Sequence, residues 1–270
     1  MSLLAAALLG VVQGLTEFLP VSSSAHLILA RAFFGWDGEA FGLAFDVACH
    51  VGTLGAVLWY FRADVVAMLG AAPGALTLSD DPAARRGRLI LIGTIPVVLV
   101  ALLFNAWVEE RLRTPLVSAV TLTAGGLLLL AAERLGRQNR DAESIRVPGA
   151  LLLGAAQATA LVPGVSRAGA TIGVGLLAGL TRASAARFSF LLGIPAIMAA
   201  AAKEGLEVAR TGLGPGDALL FLIGMVTSGI VGYLTIRYFL RFVALRSLDV
   251  FAWYRLGLAA VTVLWLVGQP

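Results

Sequence analysis

Six stretches of apolar residues, each long enough to cross a lipid bilayer, dominate this chain. They cover 41–61, 89–108, 115–133, 188–202 (extendable to 209), 217–236 and 251–268. A helix of roughly 20 apolar residues spans the hydrocarbon core of a membrane. Only 13% of the 270 residues are charged, against about 25% in a soluble domain, so a water-soluble fold would expose large apolar patches. The sequence therefore predicts an all-α polytopic membrane protein with six spanning helices.

Two further apolar regions are interrupted near their middle. They are 2–16 with 22–34, and 148–161 with 166–180. Pro20 separates the halves of the first region, and Pro163-Gly164 separates those of the second. Each half is roughly 20 Å long as a helix, too short to cross a bilayer. Interrupted segments at matching positions in two halves of a chain indicate a binding site near the midplane. We therefore predict two re-entrant helix pairs.

The two interrupted regions also resemble each other in sequence. Gly10-Val-Val-Gln13 is similar to Gly154-Ala-Ala-Gln157, and Pro20-Val-Ser-Ser23 is similar to Pro163-Gly-Val-Ser166. Each match is short, but both fall on the interrupted segments. This pattern predicts an internal repeat.

The distribution of basic residues predicts how the repeats are oriented. With both interrupted regions re-entrant, the loops on one side carry 13 Lys and Arg residues, and those on the other carry 4. The positive-inside rule assigns the more basic side to the cytoplasm. The chain is then a single membrane domain, 1–270, and its two halves, about 1–133 and 134–270, are inverted. The first re-entrant pair opens outward. The net charge of +4 fits these loops, which lack the interleaved aromatic residues of a nucleic-acid site.

The first interrupted region carries polar residues in an otherwise apolar stretch. Gln13 and Glu17 lie four residues apart and share a helix face. Pro20 ends that helix, serines at 22–24 can cap the next helix, and His26 falls in its first turn. Because a buried charge is costly at bilayer depth, these are candidate functional residues. A serine hydroxyl or a water could attack phosphorus, His26 could move a proton, and Glu17 could bind a divalent cation or act as the base.

The second interrupted region carries an arginine at the corresponding place. Pro163-Gly164 turns the chain, Ser166 can cap the next helix, and Arg167 lies in the first turn of that helix. The N-terminus of a helix attracts anions, and a guanidinium adds a fork that matches phosphate. Thr171 is on the same helix face, four residues further on. The inverted repeat would bring Arg167 opposite Glu17.

Four other ionisable residues lie inside apolar segments. Asp46 and His50 are spaced by four and form either an internal pair or support for the site. Arg31 and Arg255 are expected at the membrane interface. The single cysteine, Cys49, is expected to be an apolar filler.

The residues alone indicate a membrane protein with a buried anion site, and their arrangement suits a phosphate ester with a long apolar tail. A phosphatase is favoured by the cluster of Glu17, Ser23 and His26, which a carrier does not need for binding. A transporter or flippase of the lipid phosphate remains an alternative, because carriers also use inverted repeats and a midplane site. A channel is disfavoured because no helix carries a ring of like charges.

These motifs resemble the undecaprenyl pyrophosphate phosphatase family of bacteria, also called the bacitracin-resistance family. The family's Glu/Gln-x-x-x-Glu motif matches Gln13-Gly-Leu-Thr-Glu17, which continues to His26. Its Pro-Gly-x-Ser-Arg-Ser-Gly-Ala-Thr motif matches Pro163–Thr171, with Ala168 in place of the second serine. A Phe-Ser-Phe-Leu-Leu-x-Ile-Pro-Ala stretch follows at Phe188–Ala196. The resemblance covers essentially the whole chain.

The resemblance implies a metal-dependent phosphatase of the bacterial inner (plasma) membrane, with its site facing the outer, periplasmic side. It would convert undecaprenyl pyrophosphate to undecaprenyl phosphate and so recycle the lipid carrier of cell-wall synthesis. By the family pattern, the catalytic residues are Glu17 as essential carboxylate, Ser23 as candidate nucleophile, His26 as proton carrier and Arg167 as phosphate clamp.

The resemblance also implies a phosphate pocket and a metal site. Ser22, Ser166 and Thr171 would line the pocket together with Arg167. A divalent cation, Mg²⁺ or Ca²⁺, would be held by Gln13 and Glu17, although Gln13 stands where many relatives have a second carboxylate. Whether serine, histidine or water attacks phosphorus stays open. The glycine-rich faces permit a homodimer without requiring one.

Overall fold

The computed structural model of the chain describes residues 3–36, 42–76, 79–211 and 217–269. These residues form helices and connecting segments, with one isolated β-bridge and no named strand among them. The helices are α1 (Leu3–Thr16), α2 (Ser23–Phe34), α3 (Leu43–Tyr60), α4 (Arg62–Gly70), α5 (Ala72–Leu76), α6 (Pro82–Leu112), α7 (Pro115–Leu135), α8 (Val147–Thr159), α9 (Arg167–Leu177), α10 (Arg182–Thr211), α11 (Asp217–Leu245) and α12 (Asp249–Val267). A short 3-10 turn, Ala142–Ser144, precedes α8. The fold class predicted from composition is confirmed.

Five helices among the described residues are long and apolar enough to cross a membrane by themselves. They are α6, α7, α11, α12 and the Arg182–Lys203 part of α10. The sixth predicted span, 41–61, corresponds to α3, which passes the same test only together with α4. These two helices meet at Phe61 with a bend of 77°. The first residue of that predicted span, Phe41, and most of the predicted loop 35–40 lie outside the described residues, as does the end of 203–216.

Both predicted helix interruptions are present. The first divides α1 from α2, and the second divides α8 from α9. The residue that caps the second helix of each pair has the same uncommon backbone conformation: φ 76° and ψ 98° at Ser22, and φ 69° and ψ 113° at Ser166. Each serine side chain accepts a hydrogen bond from the third residue after it. A positive φ is rare for a residue with a side chain, so the shared conformation is consistent with an internal repeat.

The helix packing is also consistent with inverted halves. Helix α1 packs on α11 of the other half, and α8 packs on α6; α7 packs on α12. Gly10 and Gly154, which correspond in the internal repeat, allow the helix backbones to approach closely at the first two contacts. A Cβ on Gly10 would lie 2.7 Å from the Gly224 carbonyl oxygen, and one on Gly154 would lie 2.0 Å from the Gly93 carbonyl oxygen. Backbones this close exclude any side chain, as in other membrane helix pairs.

The prediction for Arg31 is wrong, and of the two alternatives for Asp46 and His50 the internal side-chain pair is absent. Arg31 is buried rather than interfacial, and it forms an ion pair with the Asp46 carboxylate. The same carboxylate is 2.7 Å from Nη2 of Arg113. Asp46 therefore does not form a side-chain pair with His50. The contact between these two residues runs from Nδ1 of His50 to the backbone oxygen of Asp46, at 2.8 Å. Two arginines hold the Asp46 carboxylate because each offers a full charge and several N–H donors.

Candidate functional site

The two helix interruptions meet inside the protein. Nη2 of Arg167, the first residue of α9, donates to Oε1 of Glu17 at 3.0 Å. The backbone N–H of Gly164 donates to the Ser24 hydroxyl at 3.2 Å. Glu17 and Arg167 are 150 residues apart in sequence, so this contact joins the two halves of the chain. The predicted juxtaposition of Glu17 and Arg167 is therefore present in the structure.

Glu17 is the centre of the cluster. Its Oε2 accepts hydrogen bonds from Gln13 Nε2 at 2.9 Å and from the Ser23 hydroxyl at 2.7 Å. The same oxygen lies 3.4 Å from Nε2 of His50. The Glu17 side chain is 5% exposed, so its charge depends on these partners rather than on water. The short contact from Ser23 gives that hydroxyl a carboxylate to which it can lose its proton.

Arg167 is held so that one of its nitrogens remains without a protein partner. Its side chain is 13% exposed, and Nη1 is buried with no hydrogen-bond partner in the described part of the chain. Buried oxygens of Gln13 and Gln157, the repeated glutamines, are also unpartnered there. Buried polar groups are normally paired. An unpaired donor on Arg167 beside Glu17 and Ser23 is what a bound phosphate oxygen would satisfy.

Gly193 on α10 makes room for the Arg167 guanidinium. A Cβ on Gly193 would lie 1.2 Å from Nη1 of Arg167, which is an overlap rather than a contact. The arginine side chain is flexible, so it can move away without disturbing the backbone. A side chain at this position would therefore displace the guanidinium while leaving the fold intact.

We expect Gly193→Ala to lower the rate of phosphate-ester hydrolysis about 10-fold, because it shifts Arg167 away from Glu17. The measurement is the initial rate of phosphate release, together with the melting temperature in detergent. Gly205→Ala is the matched control, since it lies on the same helix and its Cβ would have nothing within 4 Å. Equal rates for the Gly193→Ala variant and the wild type would contradict the assigned position of Arg167.

His26 is not in hydrogen-bond contact with the carboxylate. Its Nδ1 is 2.7 Å from the Ser22 carbonyl oxygen, and its Nε2 is 2.8 Å from the hydroxyl of Tyr254. The His26 and Tyr254 rings lie nearly parallel, with an interplanar angle of 2° and centroids 5.6 Å apart. A carbonyl can only accept, so Nδ1 carries a proton. His26 is therefore oriented toward α12, and in this arrangement it is Glu17 that faces the Ser23 hydroxyl.

The other predicted phosphate-binding residues hold the helix starts in place. The Ser22 and Ser166 side chains cap α2 and α9. The Thr171 hydroxyl donates to the Arg167 carbonyl oxygen at 2.8 Å and contacts the Ser189 hydroxyl. Thr171 and Ser189 are both buried. Thr171 thus bonds the backbone of Arg167. Its hydroxyl also connects α9 with Ser189 of α10.

Arg255 lies beneath both interruptions and is completely buried, contrary to the predicted interfacial position. Its guanidinium donates to backbone carbonyl oxygens of both interruptions and of α7, at 3.0–3.1 Å. These carbonyls belong to Pro20, Thr121, Leu122, Gly164 and Val165. Its hydrogen-bond partners among the described residues are all neutral. The positive charge of Arg255 is therefore balanced by backbone carbonyl dipoles rather than by a carboxylate.

Sequence reasoning missed two contributors to this site, Tyr254 and Gly193, and left a third open. His50 was expected either to pair with Asp46 or to support the site, and its Nε2 lies 3.4 Å from Glu17. Tyr254 and Gly193 carry no signal in the sequence, because an aromatic residue and a glycine are common in membrane helices. Their importance arises only from contacts between distant helices.

The residues of the site could hold a divalent cation only if oxygens of the substrate complete its coordination. Among the described residues, no group of three or more His, Cys, Asp or Glu side chains could hold a metal ion. Glu17 supplies one carboxylate, and the unpartnered Gln13 oxygen supplies a second donor. Mg²⁺ commonly binds through one or two protein oxygens, substrate phosphates and water. The donor set is compatible with that mode and not with a cage made by the protein alone.

Comparison with known proteins finds a matching family and relatives that align over nearly the whole chain. Residues 6–261 match the family described as "Bacitracin resistance protein BacA". The chain is 49% identical over 264 residues to an undecaprenyl-diphosphatase of Rubrobacter xylanophilus, which covers 97% of each chain. It is 44% identical over 272 residues to an undecaprenyl-diphosphatase of Trichlorobacter lovleyi, covering 99% of this chain and 98% of the relative. An undecaprenyl-diphosphatase of Alcanivorax borkumensis is 41% identical over 264 residues.

Proposed function

The chain belongs to the family of bacitracin resistance protein BacA, and on that basis we propose that it is an undecaprenyl-diphosphatase. It is a multi-pass membrane enzyme that hydrolyses undecaprenyl diphosphate to undecaprenyl phosphate and inorganic phosphate. The observation that carries this proposal is the cluster of Glu17, Ser23 and Arg167, in which a hydroxyl faces a carboxylate 2.7 Å away and a guanidinium keeps one unpaired donor. A binding site for a lipid phosphate would need the guanidinium but not the paired hydroxyl.

The geometry suggests how the chain's own residues carry out the reaction. The Arg167 fork and the first turns of α2 and α9 bind the diphosphate. The Ser23 oxygen attacks the terminal phosphorus, its proton passes to Glu17, and the bond from that phosphorus to the bridging oxygen breaks. Undecaprenyl phosphate leaves with the electron pair of that bond. Water then cleaves the phosphoserine, which restores Ser23 and releases phosphate.

A divalent cation, Mg²⁺ or Ca²⁺, belongs to this proposal. The Gln13 amide oxygen and one carboxylate oxygen of Glu17 would hold it beside the bound substrate, and the other Glu17 oxygen would accept the Ser23 proton. When bound, such an ion withdraws charge from the phosphate oxygens and helps the leaving group depart. The unpartnered buried oxygen of Gln13 supports this assignment.

We further infer that the protein lies in the bacterial plasma membrane and that the site opens to the outer, periplasmic side. The support is the 13 to 4 division of Lys and Arg between the loops, because basic loops remain in the cytoplasm. With that orientation, α3 runs from the outer face inward, and the first re-entrant pair opens outward. Glycine-rich faces leave room for a homodimer, which the size of the purified protein tests.

The deciding experiment is phosphate release from undecaprenyl diphosphate by the purified protein in detergent, first with Mg²⁺ and then with a chelator. We expect release with Mg²⁺ and its loss on chelation, with recovery when excess Mg²⁺ is restored. Unchanged release in chelator would refute the metal assignment alone. No release with either Mg²⁺ or Ca²⁺ would refute the enzyme assignment and favour a transporter of the lipid phosphate, which flux in liposomes would then test.

A further inference from the structure

A pocket of about 480 Å³ lies where α7 and α9 end. The last residues of these helices, Leu135 and Leu177, line it together with Arg137 and Arg140 from the segment that follows α7. Its volume falls within the size range of pockets that bind small molecules. The pocket shares no residue with the catalytic cluster, and Arg167 lies at the opposite end of α9, roughly 15 Å away along the helix axis.

The pocket lies at the edge of the membrane-spanning part of the chain. Helix α7 has 21 residues and is apolar enough to cross a bilayer. Its length is roughly 30 Å, which matches the thickness of the hydrocarbon core, so its last residue lies at a membrane interface. Leu135 and Leu177 are 72% and 44% exposed. The apolar side chains of the pocket are therefore open to the acyl chains of neighbouring lipids.

The polar part of the pocket is positively charged. Arg137 and Arg140 are both exposed, and the lining contains neither Asp nor Glu. The Arg137 side chain forms no hydrogen bond or ion pair with a described residue, and Arg140 donates to backbone carbonyl oxygens at 2.9 and 3.2 Å. Glu133, in the last turn of α7, is already bonded by Arg182. Two positive charges of the pocket therefore lack a carboxylate partner in the part of the chain that the structure describes.

Backbone hydrogen bonds hold the basic segment against the end of α9. The N–H groups of Asn139 and Arg140 both donate to the Gly179 carbonyl oxygen, at 3.0 and 2.9 Å, and the Thr181 N–H donates to the Arg140 carbonyl oxygen at 2.9 Å. Gly179 has a φ of 90°, which a residue with a side chain adopts only with strain. The pocket is therefore formed by a segment fixed at both sides rather than by a loose loop.

We propose that this pocket binds the headgroup of an anionic phospholipid. Two guanidinium groups match the charge and the oxygen geometry of a phosphate diester, while Leu135 and Leu177 contact the start of the acyl chains. Basic pockets between membrane helices are a recurrent way of binding anionic headgroups. A zwitterionic phospholipid has the same phosphate, but the arginines repel its ammonium group. The pocket should therefore select lipids by headgroup charge, whether or not the protein hydrolyses a diphosphate.

Arg137→Gln tests the proposal without disturbing the fold, because Arg137 is exposed and its side chain has no described partner to lose. Arg246→Gln is the matched control. Arg246 is also exposed, directly follows the spanning helix α11, and lies outside the pocket lining. It is on the same side of the protein, since the backbone N–H of Leu248 donates to Glu133 at the end of α7. Arg137→Lys, which keeps the charge, should retain part of the lipid preference.

The measurement is native mass spectrometry of the purified protein mixed with equal amounts of phosphatidylglycerol and phosphatidylcholine that carry the same acyl chains. We expect the wild type to retain several-fold more phosphatidylglycerol than phosphatidylcholine. In Arg137→Gln this preference should fall several-fold, because a charge facing the headgroup is lost, and in Arg246→Gln it should stay as in the wild type. Phosphatidylglycerol should also raise the melting temperature of the wild type more than that of Arg137→Gln, since a ligand stabilises the form that binds it.

Three results would overturn the proposal. The same preference in Arg137→Gln and the wild type would mean that the pocket does not bind the headgroup. Equal losses in Arg137→Gln and Arg246→Gln would mean that the basic surface attracts anionic lipids without a particular site. Displacement of phosphatidylglycerol by millimolar inorganic phosphate would assign the pocket to a soluble anion. None of these results depends on hydrolysis, so the proposal and the enzyme assignment can fail separately.

Discussion

Arg167→Lys should lower kcat for undecaprenyl diphosphate hydrolysis about 100-fold or more, which is the scale of losing one positioned donor at a transition state. Nη2 of Arg167 is bonded to Glu17, and Nη1 has no partner among the described residues, so in the proposed complex the fork would hold Glu17 and a phosphate oxygen at once. A lysine ammonium is a single point charge and cannot present two parallel N–H groups to these partners. The measurement is steady-state phosphate release at saturating substrate.

Arg86→Lys is the matched control for that result. Arg86 also donates to a carboxylate, Asp64 Oδ1 at 2.8 Å, but it lies near the start of α6, far along the chain from both helix interruptions. We expect this variant to keep wild-type activity, so that the loss in Arg167→Lys reflects position rather than the type of substitution. Turnover near the wild-type rate in Arg167→Lys, in a protein with an unchanged melting temperature, would rule out the clamp.

The helix interruptions could be predicted from local sequence because their causes are local. The expected helix at 22–34 is found as Ser23–Phe34, and the one expected at 166–180 is found as Arg167–Leu177. Proline stops a helix, and a serine cap starts the next one within a few residues of it. No knowledge of the rest of the fold is needed for either effect.

The bend after α3 could not be predicted in the same way. Neither proline nor glycine lies at the junction of Tyr60, Phe61 and Arg62. There, Phe61 is buried among core residues and contacts the ring of Phe190, while Asp64 of α4 pairs with Arg86 and Arg187. The direction of α4 thus depends on partners more than 20 residues away, which a hydropathy pattern does not contain.

The site shows the same division between local and distant causes. The pair of Gln13 and Glu17 follows from helix periodicity, and so does the position of Arg167 in the first turn of its helix. The partners that complete the site come from α3, α10 and α12. From sequence alone, His50 could either pair with Asp46 or support the site, and only the folded protein shows that it lies beside Glu17. Two arginines are each accommodated by a glycine of another helix, Gly193 beside Arg167 and Gly125 beside Arg255. Such pairs become visible only in the folded protein.

Arg255→Met should destabilise the protein and abolish hydrolysis, although Arg255 lies outside the cluster around Glu17. The substitution removes every donor that Arg255 offers to the carbonyl oxygens of Pro20, Gly164 and Val165. Each buried carbonyl left unpaired costs about 1–3 kcal/mol, so we expect the melting temperature in detergent to fall by about 10 °C or more. The interruptions would also lose their common anchor, which holds Glu17 and Arg167 in register.

The control for this prediction is Arg237→Met, at an exposed position on α11. It should change neither the melting temperature nor the rate of phosphate release, because an exposed arginine is solvated and can be replaced at little cost. Measuring Arg255→Met well below its own melting temperature separates the two effects. A folded Arg255→Met protein with wild-type turnover would show that the two interruptions keep their register without the shared guanidinium. A folded but inactive protein would show that this guanidinium, by joining both halves of the chain at one point, aligns the carboxylate of one with the arginine of the other.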